Sequence, residues 1–174
     1  VVPGDPPIAV AYLALGSNLG DPIARLGAAL EAIRLIPQTE LLGKSSLYRS
    51  PAWGAAQPQP DYINAVVAVR TSLPVLALWR ATCDVEHGQG RVRTGERNAA
   101  RTLDIDILLY DNVVMRDQHL TLPHPRMHER AFVLLPLVEI AHDIVIPERG
   151  PAATLIQALP DRAIATCKRL PAWS

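Results

Sequence analysis

Residues 91–110 run RVRTGERNAARTLDIDILLY, a basic segment with Arg91, Arg93, Arg97 and Arg101 that passes into an alternating stretch holding Asp104 and Asp106. The alternation predicts a β-strand, because successive side chains of a strand point to opposite faces. Thr102, Asp104, Asp106, Leu108 and Tyr110 then share one face, and Leu103, Ile105, Ile107 and Leu109 share the other. Carboxylates two residues apart on a strand have Cα atoms roughly 6 to 7 Å apart, close enough to share or bridge hard cations. Packed like charges are costly unless a metal or an arginine relieves them. Leu108 on the same face needs cover, so the face is not simply open to water. A basic run by itself is most often an exposed charged loop. Beside two carboxylates it suggests a clamp for polyphosphate.

The whole chain narrows the choice of partner. Its 174 residues suit one domain, read as 1–174 with flexible tails at 1–7 and 161–174. With 17 basic and 17 acidic residues the formal net charge is zero, which removes the global electrostatic case for nucleic acid or an anionic membrane. Any anion site is therefore local. Cys83 and Cys167 are too few and too far apart for a disulfide framework or a four-ligand zinc site, and two reduced thiols suit a cytoplasmic protein. No apolar run approaches the roughly 20 residues that span a bilayer. The N-terminal VVPGDPP has neither the basic start nor the apolar stretch of a signal peptide.

The elements around the acidic strand follow from spacing. Residues 8–15 predict a buried strand stopped at Gly16-Ser17-Asn18-Leu19-Gly20, and Asp21-Pro22 then opens a helix with Ile23, Leu26, Leu30 and Ile33 inward. The glycine turn lacks the pattern of a P-loop or a dinucleotide fingerprint, so a structural turn is expected. A strand over 41–48 leads into the Pro-rich loop 50–60 with Trp53, and 62–70 predicts a strand with Tyr62 and Asn64 on one face. A ring that stacks and an amide that donates and accepts suit a flat heterocycle, although such a pair also suits a strand end in solvent. Residues 72–87 predict a helix with Val75, Leu78, Thr82 and Val85 inward. Glu86 in its last turn opposes the helix dipole and is either solvated or offset by Arg91, Arg93 or Arg101.

Beyond Tyr110, short strands are expected over 113–115 and 119–122, followed by Pro123-His124-Pro125-Arg126-Met127-His128-Glu129-Arg130. His124 and His128 are four apart, but Pro125 interrupts the helix that a zinc pair would need. Phe132 opens an apolar run to Ile140 and on burial statistics belongs to the core. An edge strand at 144–146 and a closing helix at 152–159 complete the reading, and no internal repeat is found.

The segments ALGSNLGD, SSLYRSPAWG, QPDYINAVV, VEHGQGRVR, RNAARTLDIDILLY and LPHPRMHERAFVLLPL, in this order over about residues 10–160, resemble the hydroxymethyl-dihydropterin pyrophosphokinases of folate synthesis. The resemblance implies an α+β, ferredoxin-like three-layer α/β/α fold, a mostly antiparallel sheet with helices on both faces. It implies transfer of pyrophosphate from ATP to the hydroxyl of 6-hydroxymethyl-7,8-dihydropterin, with AMP leaving, by a cytoplasmic monomer. On this resemblance Asp104 and Asp106 hold two Mg2+ ions, and Arg91 and Arg101 are the catalytic phosphate arginines. Arg93, His124, Arg130 and Glu86 fall on the ATP side, and Ser50, Pro51, Trp53, Tyr62, Asn64 and Phe132 bind the pterin, its ring lying between Tyr62 and Phe132. Thr94, Asn98 and Pro125 depart from residues that family members carry near the substrates. Another Mg2+-dependent phosphoryl or nucleotidyl transferase on the same fold is the alternative. A nucleic-acid module needs more charge and more aromatics than the 5% present.

Overall fold

The computed structural model describes residues 7–52, 58–90, 102–171 and 173. Strand β1 (Ala9–Ser17) is followed by helix α1 (Pro22–Arg34), strands β2 (Thr39–Lys44), β3 (Tyr48–Ser50) and β4 (Tyr62–Thr71), helix α2 (Val75–Gly88) and strand β5 (Asp104–Tyr110). A hairpin of β6 (Met115–Arg116) and β7 (Thr121–Leu122) leads through a single 3₁₀ turn to helix α3 (Ala131–Ile140). A second hairpin, β8 (Val145–Ile146) with β9 (Gly150–Pro151), precedes helices α4 (Ala152–Gln157) and α5 (Asp161–Thr166) and strand β10 (Lys168–Arg169). The main sheet is antiparallel in every pairing, in the order β10-β3-β4-β1-β5, and β2 also pairs with β4.

Alternation along the inner strands separates two apolar clusters. Ala11, Leu13 and Leu15 of β1 with Ile63, Ala65, Val67 and Val69 of β4 meet Leu26, Leu30 and Ile33 of α1 and Leu78 of α2. The opposite face carries Tyr12 and Val66 against Leu134 and Leu137 of α3, with Ala152 and Leu159 farther out. The fold is therefore mixed α/β, an antiparallel sheet with helices against both faces. Among the described residues no helix is long and apolar enough to cross a membrane.

Helix α1 follows its sequence signals: Asp21 Oδ1 accepts from Ala24 N at 3.1 Å, Pro22 opens the helix, and Leu26, Leu30 and Ile33 are buried. Other expectations change where a partner strand decides. Strand β1 does not stop at residue 15 but runs through Gly16 and Ser17, because Gly16 pairs with Asn64 on one side and Asp104 on the other. In the turn beyond it Gly20 takes φ +69°, and Asn18 Nδ2 donates to the carbonyl of Pro60 at 3.1 Å. The single strand expected over 41–48 is two strands along one edge of β4, broken where Ser45 Oγ accepts from Val66 N. Pro74 moves the start of α2 to Val75. The expected strands over 113–115 and 119–122 shorten to the two-residue β6 and β7.

Strand β5 keeps the expected faces as far as Leu108. The register with β1 shifts there, leaving Leu108 as an extra residue, so Leu108 and Leu109 both enter the second cluster while Tyr110 turns to the first. Leu108 is covered, as the sequence demands, and Asp104 and Asp106 lie before the bulge on the expected common face. The tail expected over 161–174 instead carries α5 and β10, and Cys167 is buried with Tyr48. Burial pushes the Cys167 thiol up to about 11, which keeps it protonated at neutral pH.

Candidate active site

The DxD strand delivers its carboxylates to one end of the sheet, where β1 ends and β4 begins. A pocket there is lined by Gly16 of β1, Ser50, Pro51 and Ala52 at the end of β3, Tyr62 and Asn64 of β4, Asp104 and Asp106 of β5, and Arg130, Phe132 and Val133 around the start of α3. Ser50, Pro51, Tyr62, Asn64, Phe132 and both aspartates thus meet in one place, as their sequence assignments require. The first turn of α3 moves Phe132 from the expected core into the pocket wall. Trp53, Arg91, Arg93, Arg101, Thr94 and Asn98 lie outside the described residues.

Asn64 is 5% exposed, and its amide is oriented from behind: Nδ2 donates to Ser50 Oγ at 2.9 Å and to the Tyr48 carbonyl at 3.3 Å. With both amide protons engaged, Oδ1 is turned toward Gly16, where an added Cβ would stand 3.3 Å from it and 3.7 Å from Tyr62 Cδ1. Gly16 is thus the pocket floor, a role the sequence reading missed. A glycine inside a strand pattern, a mark of close approach, was the available signal.

On the other side of β5, Trp79 of α2, Ile105, Ile107, Asp117, Gln118, His119, Thr121, His124 and Pro125 surround a second cavity. Trp79 and His119 stack with ring centroids 5.0 Å apart and planes at 24°. Neither residue was singled out in the sequence, because the helix and the hairpin that bring them together are far apart in the chain. Asp106 lines both cavities.

Asp106 has its own cationic surroundings. His124 Nε2 lies 3.6 Å and Arg130 Nη1 3.9 Å from Asp106 Oδ2, whose side chain is 38% exposed. Burial, with the Arg130 guanidinium adding to it, pushes the His124 imidazole down to about 4, so His124 is neutral at pH 7 and Arg130 supplies the positive charge. Arg130 also lies over Phe132, with Cζ 5.7 Å from the ring centroid. The sequence assignment put Arg130 on the ATP side; the structure places it in the pocket wall with Phe132. Among the described residues no group of three or more His, Cys, Asp or Glu is placed to hold a metal ion. The pair of carboxylates still matches magnesium, which takes one or two carboxylates and draws its other oxygens from water and phosphate.

Glu86 is not a solvated helix end. It is 3% exposed, and Oε1 accepts from the Ile105 backbone N–H at 2.7 Å, between the two aspartates. At the same helix end Arg25 Nη1 donates to the Gln89 carbonyl at 2.9 Å, placing a cation where the dipole favours one. Glu86→Ala leaves the Ile105 N–H unpaired and is expected to lower stability by about 1 to 3 kcal/mol. Urea unfolding checks this, with Glu86→Gln, which keeps an acceptor oxygen, expected to lose less.

Relatives place this geometry. Residues 12–142 match the family model described as 7,8-dihydro-6-hydroxymethylpterin-pyrophosphokinase (HPPK). The chain is 46% identical over 151 residues to the 2-amino-4-hydroxy-6-hydroxymethyldihydropteridine pyrophosphokinase of Haemophilus influenzae, covering 87% of this chain and 93% of that one. It is 42% identical over 160 residues to the protein of the same name from Pseudomonas aeruginosa, covering 92% and 96%. A Plasmodium falciparum HPPK-DHPS triple mutant crystallised with pteroate superposes with a TM-score of 0.73 at 13% identity, covering 96% of this chain and 47% of that one, a likeness of fold alone. This chain spans about half the length of such two-part structures. The chain belongs to the 7,8-dihydro-6-hydroxymethylpterin-pyrophosphokinase family, whose members transfer pyrophosphate from ATP to hydroxymethyldihydropterin in folate biosynthesis.

Proposed function

We propose that Asp104 and Asp106 hold two magnesium ions at the junction of an acceptor pocket and a nucleotide cleft, and that the chain there moves pyrophosphate from ATP to 6-hydroxymethyl-7,8-dihydropterin. The observation that carries this reading is that Asp106 lines both cavities. A hydroxyl presented from the first and a triphosphate entering from the second converge on one carboxylate pair, the geometry that an in-line displacement needs. The bond from the pterin oxygen to the β-phosphorus forms, the bond from that phosphorus to the α-phosphate oxygen breaks, AMP departs, and the hydroxyl proton passes to solvent. Magnesium, when bound, neutralises phosphate charge and stabilises the attacking and leaving oxygens.

Each residue then has a separable task. Asn64 Oδ1, its amide protons committed to Ser50 and Tyr48, accepts from the N–H edge of the pterin, with Tyr62 and Phe132 against the ring faces. Trp79 and His119 offer a flat aromatic surface to the adenine. Arg130 reaches the phosphates beside Asp106, and His124, neutral at pH 7 with Nδ1 accepting from the Arg126 N–H, donates a hydrogen bond there from Nε2 without adding charge. Arg91, Arg93 and Arg101 complete the clamp on the transferring phosphates, an assignment supported by the family pattern in the sequence. The strand order and the two helix-covered faces support the finer reading of the fold as a ferredoxin-like α/β/α core. A cytoplasmic monomer is the accompanying proposal, the compartment supported by a sequence with only two cysteines, too few and too far apart for a disulfide framework.

The test is product identity. AMP is expected from ATP only when Mg2+ and hydroxymethyldihydropterin are both present; ADP as product would overturn the reading. Tyr62→Ala and Phe132→Ala are each expected to weaken pterin binding by about 10-fold while leaving ATP binding within about 2-fold, from the loss of one ring contact. Calorimetry with each ligand separately checks this, and equal losses for both ligands would remove the two rings from the pterin site.

A further inference from the structure

The walls of the acceptor pocket come from distant parts of the chain and are joined outside it. Ser50 and Asn64 stand on β3 and β4, and Phe132 on the first turn of α3. At the other end of α3, Glu139 Oε1 accepts from Ser46 N at 3.0 Å and Ser46 Oγ at 2.7 Å, and Glu139 Oε2 accepts from Tyr48 Oη at 2.8 Å. Helix and strand are thereby held together at a fixed point.

The remaining member of this junction comes from the C-terminal segment. Arg169 Nη2 donates to Glu139 Oε1 at 3.1 Å and Arg169 Nε to Ser46 Oγ at 2.8 Å. Lys168 and Arg169 pair with Arg49 and Tyr48, and Leu170 N donates to the Leu47 carbonyl at 2.8 Å. Trp173 Nε1 donates to the Ser45 carbonyl at 2.7 Å, with Lys44 Nζ 4.6 Å from the centre of the indole ring. Residues 45–49, which lead into and begin β3, are thus held one after another by Glu139 and the C-terminal segment. Strand β3 is only three residues long and carries both acceptors of the Asn64 amide, the Tyr48 carbonyl and Ser50 Oγ. Any shift of β3 is a shift of Asn64. The Arg169 side chain is 63% exposed, so its ion pair with Glu139 contributes little by charge alone. What it contributes is position, through two donors of one rigid fork.

We propose that residues 167–171 with Trp173 form a positioning strap for the acceptor pocket: by holding β3 against Glu139 they set the spacing between the Phe132 wall and the Ser50–Asn64 wall, and so tune affinity for the flat acceptor without touching it. The proposal rests on the acceptor assignment made above. Its effect is one-sided, because the nucleotide cleft draws on β5 at the opposite end of the sheet order from β10.

The test measures the two substrates separately, by calorimetry with hydroxymethyldihydropterin and with a non-hydrolysable ATP analogue plus Mg2+. Arg169→Ala and Trp173→Ala are each expected to weaken acceptor binding about 5- to 10-fold, as the loss of one or two hydrogen bonds allows, while ATP-analogue binding stays within about 2-fold. Arg169→Lys, with the charge but not the fork, is expected to fall between wild type and Arg169→Ala. A chain ending at Thr166 is expected to show the same split more strongly; where it fails to fold, the point variants decide. Parallel losses for both ligands, or a lowered melting temperature with unchanged acceptor affinity, would overturn the strap. Absence of AMP formation by the wild type would instead overturn the acceptor assignment itself.

Discussion

Asp106→Ala is expected to leave a folded protein whose pyrophosphoryl transfer is reduced by about 10³-fold or more, the scale of losing a preorganised charge stabiliser at a phosphoryl centre. The argument is positional. Asp106 is the residue that lines both cavities, so loss of its carboxylate is expected to act where the two substrates meet and not on the binding of either alone. It is also partly exposed, with His124 and Arg130 within 4.0 Å, so its loss creates no buried cavity and should change stability by less than about 1 kcal/mol. Asp104→Ala is expected to behave in the same way. Rapid-quench measurement of AMP at saturating ATP and pterin, with circular dichroism to confirm folding, makes the check. Turnover in both variants within about tenfold of wild type would remove the carboxylate pair from the chemistry, since even one lost oxyanion-type contact costs more than that.

Gly16→Val is expected to lower pterin affinity by about 10- to 200-fold with ATP affinity nearly unchanged, the range set by steric exclusion in a shaped pocket. A Cβ at this position already stands 3.3 Å from Asn64 Oδ1, and the two methyl groups of valine lie farther out, in the space an acceptor ring would occupy. Gly16→Ala is expected to give an intermediate loss, because Asn64 is fixed by two hydrogen bonds and has little room to yield. Strand stability does not confuse the result, as valine favours an extended backbone. Equal pterin binding by wild type and Gly16→Val would mean that the ring lies elsewhere.

Local chemistry made part of this molecule legible. Asp21, Pro22 and the apolar spacing behind them specify α1 without help from the rest of the chain. The alternation around Asp104 and Asp106 likewise fixes their common face. What escaped the sequence depends on partners. The bulge at Leu108 is an agreement between β5 and β1, and it reverses Leu109 and Tyr110 relative to a simple alternation. The break at Ser45 exists because its hydroxyl serves the backbone of Val66 in another strand. Glu86 offered two readings at a helix end, and only the approach of β5 removes the solvated one. The Trp79–His119 stack was invisible for the same reason, and Phe132 was placed in the pocket by family resemblance, not by its apolar neighbours.

Strand β5 ends the main sheet, and an end strand normally offers a row of free backbone groups on which another chain can add itself. Here the Ile105 N–H is taken by Glu86 and the Leu108 carbonyl by the backbone N–H of His124. A carboxylate and a turn stand where a neighbouring molecule would have to zip on. At these two positions the strand that presents the aspartates has no backbone group left to offer to an added strand.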